Sequence, residues 1–292
     1  MRDTPRPQGT VGDTGSRPPQ LRPGRALAHT TGASGSGGSP HRSDSRPPQT
    51  PRGVRRPDPD GRPGTTPPVP GRPTLSPGTL ALLFAFLTCL FAFLTWQVAV
   101  DSPLRRADER LGRAIADSRF PDGAAELLAD LGNLTVAVPV LVAVLAYVAW
   151  RARRAAAPRW WLPPLAALVT MAAVPALVVP LKEVVGRTGP YGMAGDGYYP
   201  SGHTATAAVA YGAAVLLLLP LLRGTYVRRE LTIGYVVLIV AVGFGLVRRG
   251  YHWPLDVVAS LVLSAMLLIV LAVLLRRRTT SRDSRDSREP RK

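Results

Sequence analysis

Residues 252–278 read HWPLDVVASLVLSAMLLIVLAVLLRRR, and this stretch decides the class of fold. From Trp253 to Leu275 the only charged residue is Asp256, and the run exceeds the ~20 residues that a helix needs to cross hydrocarbon. Arg276, Arg277 and Arg278 close it, which marks that end as cytoplasmic under the positive-inside rule. At the other end Asp256 would be costly in an apolar segment without a partner, and His252, four residues earlier, shares its helical face.

Five more apolar blocks precede this one, at about Thr79 to Val100, Leu134 to Trp150, Trp161 to Leu181, Thr204 to Leu222 and Leu231 to Val247. The second and fifth of the six, Leu134 to Trp150 and Leu231 to Val247, sit at the short limit for a span. Pro139, Pro175 and Pro180 are expected to kink or end helices, which a membrane bundle tolerates where neighbours satisfy the freed backbone groups. The predicted fold is all-α: a polytopic membrane protein with a six-helix bundle over residues 77–275. Residues Asp101 to Asn133, between the first two blocks, mix charge with short apolar stretches and suit interfacial helices.

Met1 to Ser76 is rich in Pro, Gly, Ser, Thr and Arg with little to bury, so it is expected to be disordered, as is the basic segment 276–292. The formal charge of +17 resides mostly in arginines of the tails and short loops, a pattern that membrane topology explains and that argues against a nucleic-acid partner. Lysine occurs only at Lys182 and Lys292, and the arginine bias with abundant Ala, Gly and Pro points to a GC-rich bacterial source. The single cysteine, Cys89, excludes an intramolecular disulfide and reads as a small buried apolar residue.

Arginine-rich connections, at Arg151 to Arg159 and at Arg223 to Arg229, fall at the same membrane side as Arg276 to Arg278. Six spans then leave both termini in the cytoplasm. The segment from Glu183 to Pro200 and the turn around Gly250 lie outside, and each leads into a histidine-bearing motif. Pro200-Ser201-Gly202-His203 stands before the fourth block, so its amides belong to a helix N-terminus, where unpaired N–H groups and the helix dipole favour an anion. Ser201 suits either helix capping or donation to a bound oxyanion, Gly202 allows close backbone approach, and His203 can protonate a leaving group. In the other motif Asp256 can fix the tautomer of His252 and leave its second nitrogen as nucleophile or base; a purely structural His-Asp staple is the alternative. Lys182 and Arg187 flank the end of the third block and can neutralise phosphate. Arg248 and Arg249 end the fifth block on the side where basic residues are not expected to gather, which suits anion binding or interfacial anchoring.

The order Lys182, Arg187, Pro190, then Pro200-Ser201-Gly202-His203, then His252 with Asp256, resembles the signature of the type 2 phosphatidic acid phosphatase family, which includes the vanadium haloperoxidases. The likeness covers about residues 134–275. It implies that His252 attacks phosphorus to give a phosphohistidine, that Asp256 orients it and that His203 protonates the leaving group. It also implies that Lys182, arginines, Ser201 and the Gly202 amide hold phosphate oxygens, with no metal or other cofactor. Two positions depart from the family pattern: Gly189 and Leu246 stand where arginines are usual, and Arg248 or Arg249 is the candidate replacement.

The expectation is therefore a phosphatase of a lipid phosphate or diphosphate at the outer face of the cytoplasmic membrane, with membrane lipids as surroundings. Phosphatidate, phosphatidylglycerol phosphate and an isoprenoid diphosphate are the candidate substrates. A catalytically impaired homologue that binds lipid phosphate is the alternative, motivated by the two missing arginines. Sequence sets neither the substrate nor the oligomeric state.

Overall fold

The computed structural model describes residues 76–190 and 193–286, with side chains as far as Arg276. The tail expected over Met1 to Ser76 lies outside the described residues except for Ser76. The elements in chain order are α1 (Pro77–Ala99), α2 (Pro103–Ala116), α3 (Asp122–Asp130), α4 (Leu134–Arg154), α5 (Leu162–Val185), α6 (Gly202–Leu218) with a closing 3-10 turn (Leu219–Leu221), α7 (Thr225–Arg248) and α8 (Pro254–Asp286).

Local chemistry sets the helix starts. Ser76, Ser102, Asn133 and Ser201 each accept a backbone N–H from the first turn of the helix they precede, and proline occupies the first turns of α1 and α2. At the other end of α5, Gly186 takes the left-handed conformation, with φ 55°, that a side chain resists.

Among the described residues, α1 and α4 to α8 are the six helices long and apolar enough to cross a membrane. The two expected at the short limit are longer than the apolar blocks alone, with 21 residues in α4 and 24 in α7, because flanking basic residues continue the helices. Pro139, Pro175 and Pro180 lie inside α4 and α5 without ending them. α8 runs through Asp286, so the tail expected from residue 276 begins as helix; no glycine or proline interrupts the sequence after Pro254 until beyond that point.

α6 is the hub of the bundle. Every residue from Thr204 to Ala210 is buried, and most are alanine or threonine, so α4, α5, α7 and α8 can all approach closely. A Cβ at Gly212 would fall 2.5 Å from Leu268 Cδ1 and 2.9 Å from the Tyr235 hydroxyl. Tyr235 donates to Ala208 O across α7 and α6, and Tyr211 donates from α6 to Leu131 O at the end of α3. α1 packs on α8 at the periphery and turns large apolar residues such as Leu82 and Phe86 outward. Cys89 is exposed on this helix, not buried as its size and polarity suggested, because α1 has neighbours on one side only.

α2 and α3 lie across one end of the bundle, where α5 and α7 finish and α6 and α8 begin. The α2 backbone passes over the start of α8 so closely that a Cβ on Gly112 would meet Trp253 Cε3 at 2.6 Å. α3 lies on α7, and a Cβ on Gly245 would stand 2.7 Å from both Ala125 O and Ala129 N. Since those neighbours are backbone, Gly245→Ala is expected to destabilise by about 1–3 kcal/mol, seen as a lower melting temperature of the detergent-solubilised protein. Gly234→Ala, where an added Cβ meets nothing within 4 Å, should melt with the wild type or above it.

Candidate functional site

The two histidine motifs meet through backbone contacts. Ser201 N–H donates to Asp256 O at 3.2 Å, and Ser260 Oγ, one turn along α8, donates to both Ser201 O and Asp256 O at 2.8 Å. The first turns of α6 and α8 are thereby fixed side by side. Ser201 is wholly buried, and its hydroxyl accepts from Thr204 N and Thr204 Oγ1, so its observed contacts are those of a cap. The amides of Gly202 and His203, in the first turn of α6, have no partner among the described residues, as the start of a helix leaves them.

His252 is 6% exposed. Its Nδ1 lies 3.4 Å from Asp256 Oδ2, a long contact, and the same oxygen accepts the Trp253 N–H at 3.0 Å. The ring of Tyr198 stands edge-on to the imidazole, with centroids 6.0 Å apart. Nε2 of His252 has no hydrogen-bond partner among the described residues, which leaves that nitrogen for chemistry. His203 is exposed and Lys182 half-buried. The charges of His252 and Lys182 both act on His203, and that of Asp256 acts on Lys182, so these groups share one electrostatic neighbourhood. Lys182 has no carboxylate within ion-pair distance among the described residues.

The arginines are placed differently. Arg187 is 1% exposed, and Nη1 donates to Asp256 Oδ1 while Nη2 donates to Asp108 Oδ2, each at 2.6 Å. Its guanidinium also faces the Trp253 ring at 5.7 Å, and Nε is its one nitrogen without a hydrogen-bond partner among the described residues. Arg248 donates through Nη1 to Ala116 O, at the end of α2, and through Nε and Nη2 to Phe120 O. Nη2 also lies 2.9 Å from Asp122. Arg249 binds Glu126 at 2.6 Å, and Tyr251 donates to both oxygens of the same carboxylate. Arg248 and Arg249 thus fasten the α2–α3 region to the end of α7, and neither is brought to the histidines. The two positions that lack the usual arginine are closed by packing: Leu246 is 1% exposed, and a Cβ on Gly189 would strike the Tyr198 ring at 2.6 Å.

Asp108, Tyr198 and Tyr199 also surround the site, and the sequence did not single them out. Asp108 sits in the charged run Arg105 to Arg110, where nothing in the pattern separates a buried carboxylate from solvated ones. Burial raises its carboxyl above the ordinary range, against the pull of Arg187. Tyr199 is fully buried behind the site, bonded to the Thr95 hydroxyl, and burial pushes its phenol up to about 12, so it stays neutral.

Comparison with known proteins places this arrangement. Residues 163–280 match the model of the PAP2 superfamily, a region that contains Lys182, Arg187, the 200–203 motif, His252 and Asp256 but not Asp108. No curated protein matches the chain. The structure is similar to that described as the first transmembrane PAP2 type phosphatidylglycerolphosphate phosphatase from Bacillus subtilis, with a TM-score of 0.57 and 22% identity. The likeness covers 66% of this chain and 96% of that one. The bundle therefore has the fold of a membrane PAP2 protein, and α2 and α3 cover its site end.

The bond of Tyr251 and then that of Arg249 hold the Glu126 carboxyl below its ordinary value. Its contribution to stability is thus present above that ordinary value and lost as pH falls through the lower value in the fold. Glu126→Gln is expected to melt below the wild type at neutral pH, with the gap closing in strongly acid buffer, as measured by thermal melts across pH.

Proposed function

We propose, from the premise that residues 163–280 form a PAP2 superfamily region, that this protein is a multi-pass membrane phosphatase acting on a lipid phosphate or lipid diphosphate. The observation that carries this reading is the joining of the two motifs by Ser201 N–H to Asp256 O, which sets an open helix N-terminus beside an imidazole with a free nitrogen. A phosphate seated on the Gly202 and His203 amides, with Lys182 supplying positive charge, presents its phosphorus to His252 Nε2.

In the first step the Nε2 lone pair forms the N–P bond while the P–O bond to the leaving group breaks, and His203 gives that oxygen a proton. The leaving group is the lipid alcohol, or the lipid monophosphate when the substrate is a diphosphate. In the second step His203 takes a proton from water, whose oxygen attacks phosphorus. The N–P bond breaks, restoring His252 and releasing inorganic phosphate. Asp256 keeps Nδ1 of His252 as the donor, so that Nε2 is the nucleophile.

A lipid substrate is favoured by the location of the site at one end of the spanning helices, where a headgroup reaches it while its chain remains in hydrocarbon. The basic connections after α4 and α6 lie at the opposite end of the bundle, which supports a site on the outer side and cytoplasmic termini. Phosphatidate, phosphatidylglycerol phosphate and an isoprenoid diphosphate all satisfy this chemistry.

One observation favours a second reading. Arg187, Arg248 and Arg249 are each bonded to carboxylates or carbonyls, so the phosphate would be held mainly by Lys182 and backbone amides. A homologue that binds lipid phosphate with little turnover fits that clamp, because positioned cations carry much of phosphoryl-transfer catalysis.

Phosphate release from the three lipids in mixed micelles decides between them. The phosphatase reading expects release that His252→Ala abolishes and His203→Ala lowers by about 10²–10⁴-fold; equal rates for wild type and His252→Ala would remove it. Lys182→Met should raise KM, as measured with the best of the three substrates.

A further inference from the structure

Behind His252 lies a continuous chain of buried charge that begins outside the superfamily region. Asp108, on α2, is 5% exposed and uses both oxygens. Oδ1 accepts the Leu255 N–H at 2.8 Å, one of the free donors at the start of α8, and Oδ2 accepts Arg187 Nη2 at 2.6 Å. Arg187 in turn reaches Asp256 Oδ1 with Nη1, and Asp256 Oδ2 faces His252 Nδ1. Each link is buried, and the Arg187 and Asp256 side chains are wholly so. A carboxylate in this position fixes the one cation that fixes the carboxylate orienting the imidazole, and it fastens the helix turn that carries them both.

We infer that Asp108 is a positioning residue for His252, acting through Arg187 and Asp256 and through the first turn of α8. The inference rests on the phosphatase reading for its consequence in turnover, but its geometric content does not require turnover. Arg187 is held between two buried carboxylates, so Asp108 sets where the guanidinium stands and thereby how Asp256 meets His252 Nδ1. Removing the charge at residue 108 leaves Arg187 to Asp256 and to the partly exposed Glu109, whose Oε1 lies 4.0 Å from Nη2, so the guanidinium loses its buried second anchor. The other titratable groups near His252 are Tyr198 from the connection after α5 and His203 from α6, with Lys182 of α5 beside His203, and an Asp108 substitution replaces none of them.

Asp108→Asn keeps an acceptor for the Leu255 amide and removes the charge. The His252 ring is read by NMR of protein labelled in the histidine ring, with the signal assigned by its absence in His252→Ala. The expected result is a displaced His252 ring signal, with kcat lower by about ten- to a hundredfold and KM little changed. Arg110→Gln, an exposed neighbour on α2, should move none of these. An unmoved His252 signal in Asp108→Asn overturns the inference whether or not phosphate is released. A displaced signal in Asp108→Asn, when the wild-type protein releases no phosphate, removes the phosphatase reading and leaves the inference standing.

If Asp108→Asn fails to fold, Arg187→Met and Asp108→Asn/Arg187→Met are compared, since the double variant leaves no buried guanidinium short of a partner. Action through Arg187 requires the same His252 ring signal in the two; a further displacement in the double variant would overturn that route.

Discussion

The guanidinium of Arg187, enclosed by Asp256, Asp108 and the face of Trp253, is the contact on which the site end of the molecule depends. It joins three parts of the chain that have little else in common: the connection after α5, the start of α8 and the amphipathic α2. Removing one member of such a buried ion pair costs about 3–5 kcal/mol, because the other charge is left without compensation. The same contact explains why α2 crosses the bundle end where it does. Gly112 lets its backbone come against Trp253, and Trp253 Nε1 donates to Thr188 O beside Arg187, so packing and charge fix a single position for the helix.

Much of the architecture was legible in the sequence because hydrocarbon imposes a simple rule on it. A run such as Trp253 to Leu275 has one way to satisfy its backbone inside a bilayer, and six such runs give six spans. The convergence of the 200–203 motif with His252 and Asp256 was legible for a related reason, since alternation of spans sends both motifs to one end. Burial around α1 was not legible. Cys89 and its neighbours are as apolar as any core residues, and whether such a side chain meets protein or lipid depends on how many helices surround it.

The arginines show the other limit. Arg187, Arg248 and Arg249 each carry the charge that a phosphate requires, and their sequence positions suit that role. Their observed partners are the Asp108 and Asp256 carboxylates for Arg187, the Ala116 and Phe120 carbonyls with Asp122 for Arg248, and Glu126 for Arg249. Most of these partners come from residues 108–126, a segment whose charges follow no motif. Charge complementarity across that many residues is set by tertiary packing, and a linear pattern does not encode which arginine a given aspartate will meet. Lys182 has no acidic partner among the described residues.

The close contact of α3 with α7 at Gly245 bears on how such a protein can change over generations. Leu246 beside it is enclosed, and at Gly189 the Tyr198 ring fills the space that a side chain would take. A larger side chain at residue 246 has no open space to enter, whereas one at residue 189 meets the end of the Tyr198 ring, which must swing aside first. The two places therefore differ in what they would demand: repacking of a helix end at one, the turning of a ring that stands against His252 at the other.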